Sequence, residues 1–348
     1  MENRKFLAWA IIVGFSILCA ELVFFYYLPY QGELEALADG YVIKATARYG
    51  SALDGLAVTK RADINPQVIA VMIDNHPDAR PEYGLSEAKI VYEAPVEGEF
   101  TRYMAIFDST QNVLQVGPVR SARPYFLDWL QEYGGGLYMH SGGSPDALSL
   151  IDQRNIFDAN EFYRGDYYWR GSDRLAPHNL YTKSDFWQAL ISKYATSTDK
   201  MQTSSAWKFS ATIAQPSDAQ NAIKIAYNQD YVVSWNYDPA AMNYVRYING
   251  VKYTDADGSE VRARNILVQY VSVGVLDNEG RKAIATVGSG DARVLRKGAV
   301  IQASWTKKSL TDRTRFYAAG NLNSEIILLP GATWVEVVPQ NASVTISD

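Results

Sequence analysis

The longest apolar run lies at the start of the chain. Phe6 to Leu28 is 23 residues with one charge, Glu21. At 1.5 Å per residue it would reach about 34 Å, enough to cross a hydrocarbon core of about 30 Å. Arg4 and Lys5 precede it, whereas Glu33, Glu35 and Asp39 follow it. That asymmetry predicts a single-pass anchor in the cell membrane, with everything beyond about residue 30 outside the cytoplasm. Tyr26, Tyr27 and Tyr30 fall at the outer interface. A cleaved signal would have a shorter apolar core and a small-residue cleavage site; bulky aromatics follow this one, so an uncleaved helix is expected. Cys19 follows Leu18, a poor context for lipidation. Residues 31–55 are polar and read as a stalk.

From 56 to 200 the pattern mixes periods of two and of 3.6 residues. Apolar strand-length runs occur at 65–74 and 89–96, a more clearly alternating one at 101–108, and a short buried one at 136–140. After Pro124, Phe126, Leu127 and Leu130 follow helical spacing. Ser144-Pro145-Asp146 has the N-cap, first-turn proline and first-turn acid of a helix start. Ser184-Asp185 opens another helix, through Lys193. This texture predicts an α+β or α/β domain. Residues 201–222 continue a Ser-, Thr-, Gln- and Ala-rich stretch from 196 and read as a linker. From 223 to 348 strand follows strand: a hairpin over 230–238 and 242–250, then runs at 265–273, 281–288, 292–298, 300–308, 314–320, 324–330 and 333–339. Turn signals every 8–12 residues predict a mainly antiparallel β domain, a sandwich or barrel.

The chain has 348 residues, 33 Lys+Arg against 38 Asp+Glu, one Cys and three His. An acidic balance of −5 argues against a nucleic-acid partner. With Cys19 inside the anchor, a disulfide framework, a Cys-ligated zinc and a Cys nucleophile are excluded from the outer part. No zincin, phosphate-loop, dinucleotide or EF-hand motif is present. The sequence therefore names no cofactor and no metal.

Chemistry-bearing residues concentrate at predicted strand ends. Asp74, Asn75 and His76 follow the first strand, where open sheets bind ligands, and Arg80 lies just beyond. Glu93, Glu97 and Glu99 cluster after the second strand, as candidate acid and base or metal ligands; a solvated acidic loop is the bland alternative. Arg102, Arg120 and Arg123 present guanidinium forks suited to phosphate or carboxylate; structural salt bridges are the rival reading. His140-Ser141-Gly142-Gly143-Ser144 ends a strand, turns on glycines and starts a helix, an arrangement that can bind an anion through backbone N–H groups. His178, in the loop around Arg174 and Asn179, completes the set. Asp74, Glu97 and His140 are the candidates for acid–base roles, and the others for ligand binding.

Several segments resemble the YerB-like family of bacterial envelope lipoproteins, which pair N- and C-terminal domains of unknown function. The resemblance rests on VIAVMIDNHPDARPEYGLSEAKIVYEAPVEGEFTRYMAIF (68–107), VGPVRSARPYFLDW (116–129), YMHSGGSPDAL (138–148) and RLAPHNLYT (174–182), with further matches such as GSGDARVLRKG and SWTKKSLTDRTRFY. It spans about residues 55–339 and implies two successive domains on the outer membrane face, with no established activity. This chain departs from the family at its N-terminus, where a spanning helix replaces a convincing lipidation site. Two functions are then expected: a cleft binding an anionic or glycan ligand, such as a cell-wall polymer or a lipid-linked precursor, or a non-catalytic scaffold docking a protein partner through its β domain.

Overall fold

The computed structural model describes residues 34–38, 41–45, 49–195, 206–213 and 222–347. The expected anchor at 6–28 lies outside the described residues, as do residues 31–33, 39–40 and 46–48 of the stalk. Among those described, no helix is long and apolar enough to cross a membrane. A small first unit contains the antiparallel pair of Tyr49–Gly50 with Ala57–Val58. The remainder, residues 51–56 and 65 onward, forms one compact unit.

That unit begins with β1 (Val68–Asp74), β2 (Ile90–Pro95) and β3 (Thr101–Asp108). Helix α1 (Pro124–Leu130) precedes β4 (Leu137–His140), and α2 (Pro145–Gln153) precedes β5 (Phe157–Asn160). Helix α3 (Ser184–Tyr194) closes this half. The second half supplies β6 (Ala222–Ala226), β7 (Val232–Asp238), β8 (Asn243–Ile248), β9 (Asn265–Val271), β10 (Val273–Val275) and β11 (Lys282–Ile284). It ends with β12 (Gly288–Arg296), β13 (Ala299–Lys307), β14 (Arg315–Ala318), β15 (Thr333–Pro339) and β16 (Ser343–Ser347). The first half is thus mixed α+β with few helices, and the second is mainly antiparallel β.

A ten-stranded sheet runs in the order β14-β13-β12-β9-β15-β2-β3-β1-β4-β5 and takes strands from both halves. The junction is β15 beside β2, parallel, with Glu336 opposite Glu93. A second sheet joins β8, β7, β6 and β16, extended by the short strands Val251–Lys252 and Arg262–Ala263. So the second half is neither a closed barrel nor a sandwich of its own: β9, β12, β13, β14 and β15 extend the sheet that β1 to β5 begin. Strands buried on both faces explain the apolar stretches Val68–Ile73 of β1 and Tyr103–Phe107 of β3. On one face, Ile69, Val71 and Ile73 pack with Tyr103, Trp187 of α3 and Trp235 of the second sheet. On the other, Val68, Ala70 and Met72 pack with Phe126 and Trp129 of α1. The expected strand over 324–330 is only a pair of isolated bridges, at Glu325 and Leu328. In the stretch read as a linker, Trp207 is buried against Phe316.

Residues 116–123 are the irregular segment that positions the site. Asp74 N donates to Pro118 O at 2.8 Å, and Arg120 N to Met72 O at 2.8 Å. Gly117 makes this course possible. Its φ is +143°, and a Cβ would sit 2.6 Å from Leu180 O and 2.9 Å from Val119 N, both backbone atoms that cannot swing away. Gly117→Ala is therefore expected to destabilise the fold by about 2–4 kcal/mol, measured by urea unfolding.

Candidate functional site

The ends of β1 and β3, the turn between β2 and β3, and the 117–123 segment enclose a cleft of about 640 Å³. Asp74 ends β1 and is paired in register with Arg102 of β3. Glu97 and Gly98 come from a single tight turn, and Phe100 follows it. Arg120, Ser121 and Arg123 line the opposite wall; Gly143, Ser144 and Pro145 come from the start of α2. Asp74, Glu97, Arg102, Arg120, Arg123, Gly143 and Ser144, named from sequence, thus meet around one opening.

Asp74 is the hub. Its Oδ2 accepts from Arg120 Nε at 3.0 Å and from His178 Nδ1 at 2.8 Å, and its Oδ1 from His76 N at 3.2 Å. Burial alone would raise this carboxyl; Arg120, Arg102 and the His178 hydrogen bond outweigh burial and hold it below its ordinary range. An ionised Asp74 makes His178 Nδ1 the donor. A neutral His178 then keeps its lone pair on Nε2, the tautomer suited to taking a proton. Glu97 grips Arg123 bidentately, at 2.6 and 2.8 Å. Burial again opposes ionisation there, and Arg123 prevails, so the Glu97 carboxyl is also lowered.

Arg102 stands apart. It is only 6% exposed and forms no ion pair among the described residues. Nη1 donates to Ser121 O at 2.8 Å, while Nε is buried with no partner. Burial, with Arg123 close by, pulls its pKa down to about 10. A buried guanidinium with an unmet donor, two further arginines near it, and an open cleft beside it is short of an anion.

The structure brings other candidates elsewhere. His140 is fully buried; Nδ1 meets Gly142 O and Nε2 meets Asp158 Oδ1, both at 2.7 Å, so it does not reach the cleft. Glu93 and Asn75 belong to a buried network with Tyr231 and Thr101. Arg80 binds Asn75 and lies over the Tyr231 ring. Ser141 Oγ donates to Glu161. Of the N–H groups expected to hold an anion, three are spent inside the protein: Ser141 N on Arg120 O, Gly142 N on Asn160 Oδ1 and Ser144 N on Ala122 O. The 141–144 turn therefore braces the arginine segment. Sequence reasoning missed Glu279 and Arg281, which reach the cleft from the β10–β11 hairpin. Nothing local marks that hairpin, which begins at Val273, as part of a site whose strand β3 ends at Asp108.

His76, Asp78 and His178 offer donor atoms within 4.8 Å of one another. The two imidazoles stack, however, with centroids 4.8 Å apart and planes 17° apart. Nearly parallel rings, one above the other, do not aim their nitrogens at one ion. One ring would have to turn before a metal bound.

Asp74→Asn tests the hub. It is expected to cost about 2 kcal/mol at pH 7, because Arg120 and His178 lose a charged acceptor. A lowered carboxyl contributes stability above its unfolded pKa, and that contribution is lost as pH falls through the folded value. The variant should therefore lose less stability than the parent on acidification, as read by denaturant titrations at pH 7 and pH 3.

Comparison with known proteins bears on the whole chain. Residues 53–200 match the family described as "Protein of unknown function (DUF3048) N-terminal domain", and residues 223–335 match its C-terminal domain. The chain is 32% identical over 336 residues to "Putative lipoprotein YerB" of Bacillus subtilis (strain 168), covering 94% of this chain and 96% of that one. The crystal structure of the YerB protein from Bacillus subtilis superposes with a TM-score of 0.75 at 30% identity, covering 85% of this chain and 99% of that one.

Proposed function

Because this chain belongs to the DUF3048 family, as both matched domains and the YerB relative establish, we propose that it works at the outer face of the cell membrane, binding an anionic cell-envelope ligand in the arginine cleft. The relative is named a lipoprotein, which supports membrane attachment. In this chain the apolar segment Phe6 to Leu28 supplies the attachment, as a single-pass helix. The observation that carries the binding reading is Arg102: buried, in no ion pair among the described residues, and lining the same cleft as Arg120 and Arg123. Asp74 and Glu97 hold Arg120 and Arg123 in place, and two carboxylates against three guanidinium groups leave these five residues with one positive charge in excess.

A thermal-shift series on the full chain in detergent tests this, with phosphate and pyrophosphate against chloride at equal ionic strength. A ligand at 100 times its Kd adds about 2.7 kcal/mol. The expected result is a rise in Tm that Arg123→Ala reduces. A flat series for both anions would overturn the reading.

A further inference from the structure

A second pocket of about 210 Å³ adjoins the arginine cleft, and Val96, Phe100 and Thr101 line both. The same two elements wall each of them. The β2–β3 turn gives Glu97 and Gly98 to the cleft and Glu99 to the pocket; the β10–β11 hairpin gives Glu279 and Arg281 to the cleft and Val273 and Lys282 to the pocket. Sharing these walls, the two are taken together as a groove with a charged end and a mixed end. The turn is held in an unusual shape: Gly98 at φ +66° is followed by Glu99, a side-chain-bearing residue, at φ +63°. Such strain persists where surrounding structure enforces it, commonly at ligand sites.

Resting on the reading of the cleft as an anion site, we infer that the groove takes a sugar phosphate, with the phosphate at Arg102, Arg120 and Arg123 and the sugar ring in the second pocket. Three guanidinium groups suit the higher charge of a phosphate monoester better than a single carboxylate. The second pocket has the size of one sugar ring and the amphipathic lining that a sugar needs. Phe100, 36% exposed, offers a ring to the C–H face of the sugar. Tyr227 turns its hydroxyl away to Glu336, at 2.7 Å, leaving its ring among the apolar lining. Glu99 and Lys282 supply an acceptor and a donor for sugar hydroxyls, and neither forms an ion pair among the described residues. A hydrocarbon tail in that place would strip water from both charges and return nothing.

The test is calorimetric titration of the full chain, in a detergent without a sugar headgroup, with inorganic phosphate, glucose 1-phosphate and octyl phosphate. Glucose 1-phosphate is expected to bind about tenfold tighter than inorganic phosphate, with that ratio collapsing in Phe100→Ala. Lys282→Ala, on the other wall, should lower the same ratio and guards against a folding defect in the first variant. Equal affinity for phosphate and glucose 1-phosphate would overturn the sugar pocket and leave the anion cleft standing. Octyl phosphate binding tighter than glucose 1-phosphate would overturn it in favour of an apolar tail. No binding of any of the three would overturn the cleft reading itself, and this inference with it.

Discussion

Arg246→Met is expected to destabilise the protein by about 3–5 kcal/mol, because it removes the cation from between two buried carboxylates. Arg246 of β8 is fully buried; Nη2 meets Glu93 Oε2 at 2.5 Å and Nη1 meets Glu336 Oε1 at 3.0 Å. Its guanidinium also lies 4.3 Å from the centre of the Trp334 ring. Glu93 is on β2 and Glu336 on β15, so this residue ties the second sheet to the seam where the two halves of the chain meet. Burial, then the charge of Glu93, raises the Glu336 carboxyl to about 7 even with Arg246 present. A carboxyl raised in the folded state favours folding below its unfolded pKa, and that contribution is lost as pH rises through the folded value. Without Arg246 the Glu336 carboxyl moves further up. The loss should therefore be smaller at pH 5 than at pH 8, where Glu336 would be forced to ionise without its cation. Urea unfolding at the two pH values measures it. A loss under about 1 kcal/mol at both would mean that the network is not holding the sheets together.

The second large effect has opposite signs on stability and on binding. Arg102→Met is expected to raise stability by about 1 kcal/mol, since it replaces a buried guanidinium whose Nε has no partner with an apolar side chain of similar length. The same change should weaken phosphate or pyrophosphate binding by about a hundredfold, the worth of a desolvated charge-assisted contact. A variant that melts higher than the parent, yet gains nothing from the ligand, fits a residue kept for binding at the expense of stability. A structural role for Arg102 would show instead as a lower Tm with ligand binding retained.

What the sequence made legible follows from the range of the interactions. Local signals worked: the apolar run of β1, the strand pattern of β3, Ser144 capping α2 by accepting from Ala147 N, and the β7–β8 hairpin all rest on contacts within a few residues. The cleft residues of β1, β3 and the 117–123 segment were legible because charged residues at the ends of apolar strands have nowhere to go but the sheet edge. The parallel pairings of β9 with β15 and of β15 with β2 join residues far apart in the chain, and no period announces them. That is why the second half looked like a β domain of its own. Glu93 and His140 were drawn into the candidate set by their neighbours, but strand alternation turns both inward, Glu93 to Arg246 and His140 to Asp158. Arg246 itself was invisible, one arginine in an alternating strand whose inward side proved to be a charged one.

An anion site built around Arg102 should be visible in a calorimetric titration of pyrophosphate into the full chain, repeated at two salt concentrations and in Arg102→Met. Saturable binding of one ligand per chain is expected, weaker at higher salt and lost in the variant. Heats that never saturate, or equal binding by parent and variant, would contradict it.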